Sequence, residues 1–170
     1  GLSISTPLKI NYQMQALKSL RKGIEDYDQR RGWRGPITNK IKNKNWKKNI
    51  SQYKLDPTLR WHIVEIIYLD NEKIKFQAID KTKKNIKGNL TYKNIKWSIP
   101  RKKSIQDTHE IGDLIFIKKI NNSWALKQYP KVNGGIVVLD PFNGNVLALV
   151  GGFNFKKSEF NRVTHAKRQP

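Results

Sequence analysis

The chain has 170 residues, enough to bury a core as one ordinary domain or two small ones. Its 34 Lys and Arg against 13 Asp and Glu give a formal net charge of +21, a field that attracts phosphates, anionic lipid or acidic proteins, while a 37% hydrophobic content excludes a disordered tail. Cysteine is absent, which excludes disulfides and thiolate metal sites, and no apolar run reaches the roughly 18–20 residues of a membrane span.

Residues 1–6 alternate apolar and polar, as a short strand does. Thr6-Pro7 reads as a helix start, with Thr6 as N-cap and Pro7 at the first helical position. Stripe positions then recur at Ile10, Met14, Leu17, Leu20 or Arg21, Ile24 and Tyr27, steps of three and four that predict one face of an amphipathic helix. Lys9, Gln13, Lys18 and Lys22 fall off that stripe, and Gly32 marks the helix end. The run RRGWRGP that follows offers Arg31, Trp33 and Arg34 as partner-docking residues. The competing reading packs Trp33 on the helix and uses the arginines to tie neighbouring elements together.

Residues 37–58 are heavily basic and have no sustained period, which predicts a surface connection with room for one helical turn. Within KNKNWKKN, Trp46 beside Lys47 and Lys48 resembles a stacking aromatic in a basic patch, against the plainer reading of a solvated loop. Lys, Asn and Ile dominate the composition, a mixture that AT-rich coding produces without selection for any ligand.

From Arg60 the pattern is β. Runs at residues 60–69 and 72–80 flank the turn pair Asp70-Asn71, and Ile74, Phe76 and Ala78 share one face of the second run. Further strands are predicted over residues 89–97, 112–120 and 123–129, the last two joined by Asn121-Asn122. Five short strands, curled, suggest an OB-like barrel, and pattern alone does not separate it from an SH3-like one. In GGIVVLDPFNGNVLALVGG, two nearly continuous apolar runs surround a turn at Asn143-Gly144. Runs without alternation predict strands buried on both faces, in the middle of a sheet. The fold class is therefore mainly β with one N-terminal helix, a five-stranded OB-like barrel being inserted between an N-terminal strand and helix and a C-terminal β-hairpin.

Candidate chemistry is sparse. His62, His109 and His165 have no metal-like spacing. Asp26 and Asp28 lie beside Arg30 and Arg31, where local salt bridges outweigh acid–base work. Gly151-Gly152 lacks the residues of a phosphate loop. No catalytic residue, metal site or cofactor is predicted.

The two ends of the chain carry a resemblance. Asp140-Pro141, the second apolar run, Gly151-Gly152, Phe160-Asn161-Arg162, Thr164, Ala166 and Arg168-Gln169-Pro170 resemble the approach to the transpeptidase domain of class A, bifunctional penicillin-binding proteins. In that family a catalytic Ser-x-x-Lys follows almost at once. Tyr27, Asp28, Arg30 or Arg31, Gly32, Arg34, Gly35 and Pro36 are similar to the stretch leaving the family's glycosyltransferase domain. Trp97, Gly112-Asp113, Trp124, Leu126, Gln128 and Pro130 fit the OB-like domain of its Gram-negative members. Departures are His165 where Gln is usual, Gly135 where Ala is common, and Pro7-Leu8 in place of Thr-Leu.

The resemblance implies a stretch of a longer peptidoglycan synthase, without activity of its own. Residues 1–36 would be an interdomain strand and helix, 37–58 a basic connecting loop, 59–131 the barrel, and 132–170 the start of the transpeptidase domain. It implies a periplasmic protein held to the inner membrane by an anchor outside these residues. Partners would be cell-wall regulatory proteins, and peptidoglycan through the whole enzyme, with no nucleic acid. Phe160, Asn161 and Arg162 would support the active site. The alternative is a single-stranded nucleic-acid binder, with Phe76, Tyr92, Trp97 and Phe116 as candidate stacking aromatics on a basic barrel. Periodicity argues against it by turning Phe76 inward.

Overall fold

The computed structural model describes residues 6–79, 85–154 and 163–164. The chain divides into two compact units, one formed by Gly1–Tyr27 with Pro130–Pro170, the other by Asp28–Tyr129.

In the first unit the helix α1 (Ile10–Arg30, its last three residues belonging to the second unit) packs on a hairpin of β7 (Ile136–Leu139) and β8 (Val146–Val150). Ala16, Leu17 and Leu20 meet Ile136, Val138, Ala148 and Val150. The helix starts later than Thr6-Pro7. Lys9 donates its N–H to the Leu147 carbonyl at 2.9 Å, and its own carbonyl accepts the Gln13 N–H, also 2.9 Å. Lys9 is thus held by a strand and opens the first helical turn. The buried face also differs from the predicted stripe. Ile10 is 80% and Met14 67% exposed, whereas Gln13 faces β8. Gln13 donates its amide to the Leu149 carbonyl at 2.8 Å and accepts the Leu149 N–H at 2.9 Å. A polar residue sits on the packed face because open backbone groups of β8 need partners. The hairpin is buried on one face only, for Val137 and Leu139 are exposed. Its turn is wider than Asn143-Gly144: Asp140 donates to the Asn145 carbonyl, and Gly144 to that of Asp140. The strand expected over residues 1–6 lies outside the described residues except for Thr6, which is not in a strand.

The second unit is a six-stranded antiparallel sheet in the order β1-β5-β2-β3-β4, with β6 also paired to β5. The strands are β1 (Thr38–Asn39), β2 (Trp61–Leu69), β3 (Lys73–Ala78), β4 (Lys87–Thr91), β5 (Asp113–Ile120) and β6 (Ser123–Lys127). Alternation puts Val64 and Ile66, Ile74 and Phe76, Leu90, Ile115 and Ile117, and Leu126 into one core. Each such side chain stabilises the fold by roughly 1.5–3 kcal/mol. The sheet is open: no ladder joins β4 to β6 among the described residues. The two still meet where Gly88 leaves room for Trp124, whose Nε1 would lie 3.0 Å from a Cβ at that position.

Two segments depart from expectation. Residues 89–97 are a strand only as far as Thr91. Lys73 pairs with Thr91 and is the first residue of β3, so the ladder has no further partner. The chain turns into α3 (Tyr92–Ile95) and a short 3-10 turn, and Ile95 closes one end of the core. The basic stretch 37–58 contains β1, which pairs with Asp113 and Leu114 of β5, and the helix α2 (Trp46–Ser51). Its Tyr53 stacks edge-on against Phe116, with ring centroids 5.0 Å apart. Strand β5 is accordingly buried from Asp113 to Ile117, on both faces. At its start Gly112 has φ of +87°, and a Cβ there would lie 2.7 Å from the Ile41 side chain.

Candidate functional site

The residues singled out in RRGWRGP are drawn inward. The Arg34 guanidinium makes two parallel bonds to the Asp28 carboxylate, at 2.9 and 2.8 Å, and a third at 3.0 Å to the Tyr129 carbonyl. Asp28 is only 2% exposed. Gln128 completes the network by donating to Asp28 at 2.8 Å and to the Gly32 carbonyl at 3.1 Å, while accepting the Arg34 N–H at 2.8 Å. A bidentate Arg–carboxylate pair with its remaining lone pair filled is the arrangement that makes burial of two charges tolerable. Trp33 packs against the core, 5.5 Å from the Trp97 ring and 5.2 Å from that of His109. Arg31 stays exposed at the helix end, where Gly32 at φ +88° turns the chain. Gln128 was singled out in the sequence only by resemblance, and its pairing with Asp28, a hundred residues away, was not legible there.

His109 forms a second buried cluster. Ser98 donates its hydroxyl to the Ile95 carbonyl at 2.6 Å, so the 3.0 Å contact with His109 Nε2 has the ring nitrogen as donor. Nδ1 is then a bare lone pair, and it has no partner among the described residues. Burial lowers the imidazole pKa from 6.5 to about 4. This is not a nucleophile–base pair, since the hydroxyl proton points away from the ring. Burial likewise raises the Asp113 carboxyl above its usual range, against hydrogen bonds from the Glu110 N–H and the Asn39 amide.

Trp46, Lys47 and Lys48 open α2 on the surface of the same unit. The ammonium groups of Lys40 and Lys47 each lie 5.7 Å from the Trp46 ring centroid. Lys40 also pairs with Glu65 at 2.7 Å, which anchors this stretch to β2. Trp46 forms part of a groove of about 380 Å³, with Ile50, Trp61, Ile63, Ile79 and Ile86 among its walls. Here expected docking residues and a concave surface coincide. Phe160, Asn161 and Arg162 lie outside the described residues.

The pattern Ser-x-x-Lys occurs twice, at Ser19–Lys22 and Ser51–Lys54. Neither pair is built for acyl transfer. Lys22 is paired with Asp26 on an exposed helix face, and Ser51 donates to the Lys48 carbonyl at 2.9 Å. Among the described residues no group of three or more His, Asp or Glu could hold a metal, and no helix is long and apolar enough to cross a membrane. Of the candidate stacking aromatics, Phe76 and Phe116 are buried and Trp97 packs on the core. Tyr92 alone of the four is exposed.

Comparison with known proteins agrees with the sheet. The family described as penicillin-binding protein OB-like domain matches residues 33–132. Over its whole length the chain is 38% identical to penicillin-binding protein 1A of Rickettsia felis, across 171 residues. It is 31% identical to penicillin-binding protein 1A of Escherichia coli, across 182 residues and 99% of the chain. The chain spans about a fifth of the length of these curated relatives, 21% in each case. The crystal structure of penicillin-binding protein 1A from Haemophilus influenzae superposes with a TM-score of 0.67 at 25% identity, over 95% of this chain and 23% of that one.

Proposed function

Because the chain belongs to the class A penicillin-binding proteins through their OB-like domain, we propose that it is the non-catalytic interdomain and docking region of a peptidoglycan synthase. In this reading the whole protein joins a glycosyltransferase to a DD-transpeptidase in the periplasm, and an inner-membrane anchor lies elsewhere in it. The second unit holds a fixed geometry between the two catalytic parts and presents a surface to regulatory proteins of the cell wall. Phe160, Asn161 and Arg162 support the transpeptidase active site.

The observation that carries the reading is the OB-like match over residues 33–132 inside an alignment to relatives that runs the whole length of the chain. The chemistry of the described residues agrees with a non-catalytic role. The buried Ser–His pair is wired for packing, and both members of each Ser-x-x-Lys pair are exposed to solvent. The experiment is to read the coding frame past Pro170 and to treat both the chain and its parent with a fluorescent penicillin. A Ser-x-x-Lys soon after Pro170, a covalent adduct on the parent and none on the chain are the expected results. A stop codon at that point, or an adduct on the chain itself, overturns the proposal.

A further inference from the structure

The groove beside Trp46 has a composition that selects among partners. Its walls include Ile50, Ile63, Ile79 and Ile86, with Trp46, Trp61 and His62 as the aromatic members. A volume of about 380 Å³ is at the small end of ligand sites, which run to roughly 300–1,000 Å³, and suits one or two apolar side chains. The rim is cationic. Residues 37–55 contain six lysines and no acid. Lys40 and Lys42 are matched by Glu65 and Glu110. Lys44, Lys47 and Lys48 are exposed, have no acidic partner among the described residues, and lie within two residues of Trp46.

We infer that this groove binds an acidic segment of a partner protein by inserting an apolar side chain between Trp46 and the isoleucine wall. The inference rests on the docking role proposed above and assigns it a surface and a ligand chemistry. Carboxylates on the segment meet Lys44, Lys47 and Lys48, which sets the rate and orientation of encounter, and the buried side chain sets the lifetime. A second copy of the chain is a poor occupant, because a net charge of +21 opposes self-association. Nucleic acid is disfavoured by the walls. Most of the wall is branched aliphatic with no π face on which a base can stack, Trp61 is buried, and the Trp46 ring already holds two ammonium groups.

The test uses fluorescence anisotropy on the full chain. The probes are a short peptide rich in Asp and Glu with a central Leu-Phe pair, the same peptide with Ser at both central positions, and oligothymidylate. The anchored peptide is expected to bind, and its Ser counterpart roughly tenfold more weakly. Trp46→Ala and the exposed double change K47E/K48E should each weaken the anchored peptide roughly tenfold. Thermal melting identifies a variant that fails to fold, and K47E/K48E changes only exposed side chains. Equal binding of the two peptides overturns the inference, since charge alone then suffices. Wild-type affinity in both variants also overturns it but leaves the docking role standing on another face. Oligothymidylate displacing the anchored peptide overturns the inference and the docking role together.

Discussion

His109 is 1% exposed beside Trp33, and its Nδ1 lone pair faces no donor among the described residues. Protonating that nitrogen creates a buried cation with an unmatched N–H. The folded pKa of about 4 lies below the ordinary 6.5, so between these values the unfolded chain binds more protons. Stability therefore rises with pH across that window. The contribution is complete above about pH 6.5 and is lost as pH falls through about 4, a change of roughly 3 kcal/mol. Asp113 acts in the opposite sense, because a raised carboxyl pKa makes its protonation favour the folded state. His109→Gln isolates the imidazole. Thermal melting of the full chain between pH 4 and 7 should show a markedly flatter profile in this variant than in the parent sequence. Parallel profiles would mean that His109 does not titrate out of the folded core. No spacing in the sequence marked His109, because its burial depends on the ring of Trp33, seventy-six positions away.

At the scale of elements, hydrophobic alternation was a sound guide where a strand has a ladder partner along its length. Runs around Ile66, Phe76, Ile115 and Leu126 became β2, β3, β5 and β6, and the Asp70 turn formed with Asp70 Oδ1 accepting the N–H groups of Glu72 and Lys73 at 2.8 and 2.9 Å. Alternation failed past Thr91, where the pairing strand had not yet begun. The helix shows the same limit. Its apolar stripe pointed to Ile10 and Met14, yet the packed face is Gln13, Ala16, Leu17, Leu20 and Ile24, selected by what β8 and Gly134 present. Gln13 is the residue to change. Gln13→Leu removes both bonds to Leu149 while keeping side-chain volume. Exchange of the Leu149 amide should quicken by roughly tenfold, or about 1.4 kcal/mol of local stability. Gln13→Glu retains the acceptor for the Leu149 N–H but loses the donor to its carbonyl, and should give an intermediate rate. Unchanged exchange in both variants would remove the glutamine from the account of how α1 is held.

For the molecule as a whole, the decisive feature of the second unit is that its two chain ends meet. Asp28, Gly32 and Arg34 stand at one end, Gln128 and Tyr129 at the other, and four hydrogen bonds join the two ends, beside the two that Arg34 makes to Asp28. Closing a long loop carries an entropic penalty that grows only slowly with length, so one well-made contact suffices to hold both ends. Arg34→Met removes the bidentate partner of the buried Asp28 carboxylate, and should lower the unfolding free energy by about 3–5 kcal/mol in denaturant titration. The double change Asp28→Asn with Arg34→Met should recover more than half of that loss, because no charge then remains buried. A double variant as unstable as the single one would show that packing, rather than the charge pair, holds the ends.

The sequence by itself determined the family, through motifs at both ends that depend on residue identity rather than on shape. It also determined the β character of the second unit, because alternation reports which face of a strand is apolar wherever that face lands. It placed Trp46, Lys47 and Lys48 on a basic surface stretch. Only the tertiary structure decided that Trp33 and Arg34 turn inward while Trp46 borders a groove. The physical reason lies in partners distant along the chain. Gln128 donates to the carboxylate of the buried Asp28–Arg34 pair, whereas Trp46 lies beside the Lys40 and Lys47 ammonium groups and borders the isoleucine-lined groove.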